Sequence, residues 1–351
     1  MEELLKSEEY INDLKYLNKL DFWEDLNGRT ILITGATGLI GSAIIDAIMY
    51  HNRNLNSKIS VIAISRKEEK IRERFSKYLL NENFSFYAHD IIKPLNISKK
   101  IDFIIHAASN ANPSLFSEKP VDTMLGNILG AKNLLDLCIK NNSKFLYVSS
   151  GEVYGIIDKQ VNGFDEEFSG YVNSLNFRSC YPNSKRATET LCMSYKQQYG
   201  IDVVIARLCH VYGATGSAND KRIYRVFMEQ ALNGNDIILK SNGKQIRSYC
   251  NVVDAVSGLF TILIKGISGD AYNISVPNSN ISIYELASII AKNANVDVKF
   301  DLPTDAEKQS FNPMNNAVLN SSKLLNLGWN PKYDAENGID ITMKILRKLK
   351  N

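Results

Sequence analysis

Short apolar runs alternate with amphipathic stretches along the first two thirds of the chain. TILIT (30–34), KISVIAIS (58–65), FSFYAHD (84–90), IDFIIHAAS (101–109), SKFLYVSS (143–150) and IDVVIARLCHVYG (201–213) are rich in β-branched and aliphatic residues. Runs that leave little room for a wet face predict strands buried on both sides, as in a parallel sheet. Between them lie helical patterns at SAIIDAIMY (42–50), RKEEKIRERFSKYLL (66–80) and GNILGAKNLLDLCIK (126–140). Another starts near Tyr181, with Ala187, Leu191 and Tyr195 at helical spacing. Strands alternating with helices predict an α/β fold, a doubly wound parallel sheet covered on both faces. After about residue 213 the alternation loosens. Ser282 and Glu285 fit a capping box at the start of a further helix. The expected organisation is a charged helical extension over 1–28, a sheet domain over 29–208 and a smaller α/β substrate domain over 209–351. Segments such as 247–262 are expected to return to the sheet.

The first strand runs into ITGATGLIG, which places Gly35, Gly38 and Gly41 at three-residue spacing before a helix. Glycines permit the tight turn and close backbone approach, and the helix N-terminus offers free N–H groups and partial positive charge to a diphosphate. The strand–turn–helix context reads as a dinucleotide (Rossmann) site rather than an ordinary Gly-rich turn. The second strand ends in Ser65-Arg66-Lys67 with no acidic residue. A carboxylate there would bond a ribose 2′-hydroxyl and favour NAD, whereas Arg66 suits the 2′-phosphate of NADP. The alternative is that Arg66 and Lys67 only begin a solvated helix.

RSCYPNSKR (178–186) carries a Tyr four residues before a Lys, with Pro182 in a helix's first turn. Positions i and i+4 share a helix face. Lys185 beside Tyr181 is expected to favour the phenolate and so lower the phenol's pKa, which suits acid–base work. Read alone, the pair is more simply a solvated Lys and a half-buried Tyr; the rest of the chain has to argue for the acid–base reading.

Composition narrows the partners. The chain has 351 residues, 44% hydrophobic and 23% charged, with a formal net charge of only +3. It lacks a basic, aromatic-interleaved face for nucleic acid and any apolar run near the ~18 residues of a membrane span. The start, MEELLKSEEYINDLKYL, is charged and unlike a signal peptide. Five scattered cysteines form no CxxC pair, so neither a metal site nor a disulfide framework is expected. A reducing cytoplasm is the expected setting.

Taken in order, ITGATGLIG, YAHDI, DFIIHAAS, NILGAKNLL, YVSSGEVYG, YPNSK and ARLCHVYG resemble the extended short-chain dehydrogenase/reductase family, in its nucleotide-sugar epimerase/dehydratase branch. KQIRSYCNVVDAVSGL, GDAYNIS and NSSKLLNLGWNP extend the resemblance to the C-terminus. It implies a tightly held NAD or NADP whose diphosphate rests on Gly35, Gly38, Leu39, Ile40 and Gly41. Asp90 and Ile91 would lie against the adenine, and Ala107 and Ala108 would line the cofactor. Lys185 would bond the nicotinamide ribose, and Ser150 would hold the sugar hydroxyl that Tyr181 deprotonates. Arg247 would grip the nucleotide diphosphate through its planar donor fork. A homodimer acting through a 4-keto sugar, in the making of surface-polysaccharide sugars, is the implied enzyme.

The reaction stays open at VSSGEVYG (148–155). One type of 4,6-dehydratase in the family carries Asp-Glu after the Thr or Ser; here the pair is Gly151-Glu152. The acid is missing, and Glu152 is either a base at C5 or structural. RSCYPNSKR resembles glucuronate decarboxylases, but VYGATG departs from their Tyr-Gly-Pro-Arg, and residues 308–322 contain no Arg. Dehydratase or decarboxylase chemistry is the favoured reading. A simple 4-epimerase, an NADPH-dependent 4-keto-sugar reductase and a non-catalytic dinucleotide sensor are the alternatives; intact Ser150, Tyr181 and Lys185 argue against the sensor. His106 and His210 are expected to be structural residues beside the cleft.

Overall fold

In the computed structural model, residues 2–110, 113–156, 162–302 and 314–350 are described. Helices α1 (Glu8–Leu17) and α2 (Trp23–Leu26) precede β1 (Thr30–Thr34), α3 (Leu39–Leu55), β2 (Ser60–Ser65), α4 (Glu68–Arg74) and β3 (Phe84–Ala88). Next come β4 (Phe103–His106), α5 (Pro113–Glu118), α6 (Pro120–Asn141), β5 (Lys144–Ser150), α7 (Cys180–Tyr199), β6 (Asp202–Leu208) and β7 (His210–Tyr212). The rest is α8 (Ile223–Leu232), β8 (Ile237–Leu239), β9 (Ile246–Asn251), α9 (Val252–Lys265), β10 (Ala271–Ile274), β11 (Asn280–Ser282) and α10 (Ile283–Ala294). β12 (Val298–Phe300), β13 (Asn316–Ala317), α11 (Ser322–Leu325) and α12 (Ala335–Lys350) complete the chain.

Seven strands form one sheet in the order β10-β6-β5-β4-β1-β2-β3, every pair parallel. This is the doubly wound sheet expected from the apolar runs. β1 is buried along its whole length, and β5 is buried over Phe145–Ser149, because helices cover both faces. The strand order reverses between β1 and β4, and the crevice beyond the strands' C-terminal ends at such a switch point is where open α/β sheets bind ligands.

The later third contributes to both parts. Helix α9 is apolar almost all round and buried from Val252 to Leu263. It lies against the main sheet, and β10 joins that sheet beside β6. β9 instead centres a small sheet with β7, β11 and β13, and β8 pairs β12. Ser282 and Glu285 cap α10 reciprocally. Of the helix expected over 66–80, only Glu68–Arg74 is α-helical. Arg74 turns inward onto Asp46 of α3, where both side chains are buried, and Phe75 behind it is buried too.

The N-terminal helix is part of the core. Leu4, Tyr10, Leu14 and Leu17 are buried. The Tyr10 hydroxyl donates to Asp46 at 2.8 Å, and Asp13 accepts from Lys332 (2.7 Å) and Tyr333 (2.5 Å) near the other end of the chain.

Candidate functional site

The Gly loop is built so that side chains are excluded. Gly35 has φ +68°, and a Cβ there would meet Ala107 O and Ala108 N at 2.8 Å. A Cβ on Gly41 would lie 2.4 Å from Gly35 O. Only glycine allows this contact between the first turn of α3 and the ends of β1 and β4. Gly38 is the N-cap of α3, followed by Leu39 and Ile40. The first N–H groups of a helix have no intrahelical acceptor, so the loop forms an anion cradle. Thr34 Oγ1 bonds His106 Nδ1 (2.8 Å) and accepts from Ala108 N (3.2 Å), which fixes Ala107 and Ala108 beside the loop. Ile91 sits in the notch of Gly130, where a Cβ would come within 2.6 Å of its Cδ1. Asn133 clamps the Ile91 carbonyl at 2.9 Å. Asp90 is half-buried next to it, and Arg66 is exposed just past β2. These residues fit a dinucleotide along the switch-point crevice.

The residues expected to do acid–base work gather at the end of β5. Ser150 closes the strand, and its hydroxyl accepts from Glu152 N at 3.2 Å. Tyr181 and Lys185 lie one turn apart on α7, 7% and 2% exposed. The Ser150 side chain faces the Tyr181 phenol and draws its pKa down. Lys185 Nζ donates to Val148 O at 2.8 Å and lies 4.8 Å from the Tyr147 ring centre and 5.8 Å from that of Tyr181. α7 is locked to α6 through Asn127, which accepts from Ser109 Oγ and donates to Ser184 Oγ, both at 2.9 Å.

The electrostatics differ from expectation. Burial pushes the Tyr181 phenol up to about 12, with the Glu152 carboxylate acting in the same direction. Ser150, Arg178 and Arg222 pull it down. Burial also drives Lys185 down to about 7, against an opposing pull from Glu189. The lowered phenol expected from the Tyr–Lys spacing is therefore not found: desolvation acts on both groups and favours the uncharged form of each.

Glu152 stands beside the site with both oxygens engaged. Arg178 Nη1 and Nη2 reach them at 3.0 and 3.1 Å. Where the family's acid would sit is Gly151, and a Cβ there would lie 3.2 Å from both methyl groups of Leu319. Arg247 is buried and donates to Met314 O (2.7 Å) and Ile246 O (2.8 Å). Arg222, on the loop before α8, is held by Asp220 and Tyr224. Arg247 and Arg222, with burial as the larger cause, hold His210 down at about 3. Burial likewise holds His106 at about 3, aided by Lys185. Both histidines are thus neutral neighbours of the cleft. Residues 308–313 of the segment without Arg lie outside the described residues.

Sequence reasoning missed Arg178, Phe116 and Arg222. Arg178 lay within the quoted RSCY stretch, but nothing local shows that it meets Glu152. Arg222 reads as one more charge in a polar loop. A separate cavity of about 390 Å³, lined in part by Glu166, Glu189, Arg207, Asp270 and Lys323, shares no residue with the expected site. Among the described residues, no cluster of three or more His, Cys, Asp or Glu side chains is arranged to hold a metal ion, and no helix is long and apolar enough to cross a membrane.

Residues 31–275 match the family described as NAD dependent epimerase/dehydratase. The chain belongs to that family. It is accordingly an enzyme of an NAD-dependent class, as its sequence motifs implied. It is 31% identical to UDP-glucuronic acid decarboxylase 1 of Xenopus tropicalis over 329 residues, 93% of this chain and 74% of that one. Its fold matches a dTDP-glucose 4,6-dehydratase of Streptomyces venezuelae with NAD bound, at a TM-score of 0.78 and 22% identity, covering 91% of this chain and 97% of the other. It also matches UDP-glucuronic acid 4-epimerase of Bacillus cereus in complex with UDP-glucuronic acid and NAD, at a TM-score of 0.77 and 22% identity, covering 91% and 99%. At that identity the two structures speak to fold alone, and among them stand both an elimination and an epimerisation enzyme.

Proposed function

We propose that this enzyme oxidises a nucleotide-diphosphate sugar at C4 and uses the resulting ketone to labilise a neighbouring bond. The observation that carries this reading is the convergence of Ser150, Tyr181 and Lys185 at the end of β5, beside the Gly cradle. Ser150 orients the C4 hydroxyl, and Tyr181 takes its proton as the phenolate, the minor form of a phenol that burial holds up at about 12. When bound, the dinucleotide supplies hydride acceptance and return. Gly35, Gly38, Leu39, Ile40 and Gly41 hold its diphosphate, Asp90 and Ile91 flank its adenine, and Ala107, Ala108 and Lys185 face its nicotinamide half. Arg66, exposed just past β2, would meet a 2′-phosphate and so favour NADP. Arg247 and Arg222 add positive charge for the substrate diphosphate.

Three outcomes follow from a C4 ketone. Elimination needs a base at C5, and Glu152 is the residue at hand. Loss of carbon dioxide from a uronic acid needs no such base, because its carboxylate is β to the ketone. Epimerisation needs only that the ketone turn over before it is reduced. Of the two outcomes that work at C5, the two-pronged hold of Arg178 on Glu152 favours loss of carbon dioxide, which leaves Glu152 paired. Incubation with a panel of nucleotide sugars, read by mass and NMR, separates them: loss of water, loss of carbon dioxide or no change in mass. Turnover of none of them, by a protein that binds dinucleotide, would overturn the reading.

The working unit is proposed to be a homodimer. Val121, Met124, Leu125 and Leu129 form an exposed apolar stripe along α6, a face suited to a second copy. Sedimentation that shows a monomer at micromolar concentration would remove this element.

A further inference from the structure

Arg178 is an unusual residue to bury. Its side chain is 6% exposed, next to the catalytic phenol, and it belongs to none of the roles assigned above. Three contacts define it. Both Glu152 oxygens accept from its terminal nitrogens. Its guanidinium carbon lies 4.7 Å from the centre of the Phe116 ring. Phe116 in turn stacks on Tyr181, with ring centres 4.5 Å apart and planes 16° from parallel. Cys180 joins the cluster, its thiol donating to Phe116 O at 3.7 Å. The cluster therefore bridges α5, the start of α7 and the turn after β5, the three segments that surround the phenol.

We propose that Arg178 is a positioning residue for the catalytic phenol: anchored by the paired oxygens of Glu152, it fixes Phe116, and the Phe116 stack holds Tyr181 toward Ser150. The idea rests on the reading of Tyr181 as the acid–base group. A guanidinium suits the task because one planar group binds a carboxylate through two parallel bonds and also lies against an aromatic ring. Lysine offers a point charge and cannot do both. Glu152 acts through Arg178, as the anchor that keeps the fork in place.

Position and charge are separable, because Glu152 and Arg178 act on the phenol with opposite sign. The other groups facing Tyr181 are Arg222 from the loop before α8, Lys185 from its own helix and Tyr147 from β5; none of them changes in the variants below.

The experiment follows reduction of the bound dinucleotide against pH in Arg178→Met, Arg178→Lys, Glu152→Gln and the double variant Glu152→Met/Arg178→Met. The double variant leaves no buried charge without its partner, which guards against simple misfolding. A second readout, independent of turnover, is the titration of the Tyr181 ring carbon in ¹³C-tyrosine-labelled protein, assigned with Tyr181→Phe. Arg178→Met is expected to slow reduction by roughly 10- to 100-fold, the scale of a small misplacement of a reacting group, and Arg178→Lys is expected not to restore it. The acid limb and the Tyr181 titration move to higher pH in Arg178→Met and to lower pH in Glu152→Gln. Arg178→Met variants that fold, bind dinucleotide and reduce it at the wild-type rate would overturn the proposal. So would limbs that move in the same direction or not at all. If wild type itself reduces no dinucleotide with any nucleotide sugar, the reading of Tyr181 fails instead.

Discussion

Lys185→Met is expected to stabilise the fold while ending catalysis. Burial holds the Lys185 amine at about 7, against an ordinary 10.5. In the unfolded chain the amine keeps its proton up to its ordinary value. Between about pH 7 and 10.5 the unfolded chain therefore binds more protons than the folded one, and this residue makes wild-type stability rise with pH across that window. Below that window both states are protonated, and the whole cost of burying the ammonium is present. At 1.36 kcal/mol for each pH unit, the drop from 10.5 to about 7 corresponds to about 5 kcal/mol. Methionine has a similar volume and no charge, but it gives up the bond to Val148 O at 2.8 Å, worth about 1 kcal/mol net. The expected gain at pH 6 is thus about 3 kcal/mol, leaving a further allowance of ~1 kcal/mol for imperfect packing.

The assay is urea denaturation of cofactor-free protein from pH 6 to 10. The advantage of Lys185→Met over wild type is expected to be largest at pH 6 and to shrink steadily toward pH 10. A variant no more stable than wild type at pH 6, or one whose advantage is the same at both ends, would refute the reasoning. Reduction of dinucleotide by nucleotide sugar is expected to be lost in the same protein.

Tyr181→Phe keeps the Phe116 stack and loses only the hydroxyl; turnover is expected to fall about 100- to 10,000-fold with dinucleotide binding and melting temperature nearly unchanged, checked by calorimetry. Arg66, exposed at the end of β2, is expected to give NADP about 10- to 150-fold tighter binding than NAD, the scale of one charge-assisted contact, and Arg66→Ala to erase the difference; equal affinities in wild type would reduce Arg66 to a surface residue. In heavy water the product is expected to carry deuterium at C5, as both elimination and decarboxylation require. A product free of deuterium, formed by a fully active Glu152→Gln, would rule out elimination.

The parts of this molecule that could be read from the sequence are those whose signal is local. The strands at 30–34, 60–65 and 144–150 declare themselves because both faces are buried and each has an unbroken apolar centre. Tyr181 and Lys185 share a face because four residues make one helical turn. What could not be read depends on distant pairing or on burial. Arg178 and Glu152 are separated by 26 residues, and Phe116 comes from a third segment. β10 enters the main sheet beside β6 after an excursion through the small sheet. The phenol's direction was misjudged because the spacing reports a neighbouring cation but not the loss of water around both groups, and burial is the larger cause for each.

The fold accounts for how such a site persists. Tyr181, Lys185, Arg178 and Arg247 are all at least nine-tenths buried, so the protein places several polar and charged groups where each costs stability. Buried charges are retained only where their partners are fixed, and fixing them requires a rigid frame. β5, which carries Ser150, lies inside the sheet with β4 on one side and β6 on the other. α7, which carries Tyr181 and Lys185, is tied to α6 through Asn127 and Ser184. Away from the site, the N-terminal helix adds an apolar layer, and its Tyr10 joins Arg74 of α4 on the buried Asp46 of α3. Stability gathered far from the cleft thus offsets the cost of the charges buried within it. That division explains why the expected gain from Lys185→Met is large: the residue sits where the frame holds a charge that the fold, left to itself, would exclude.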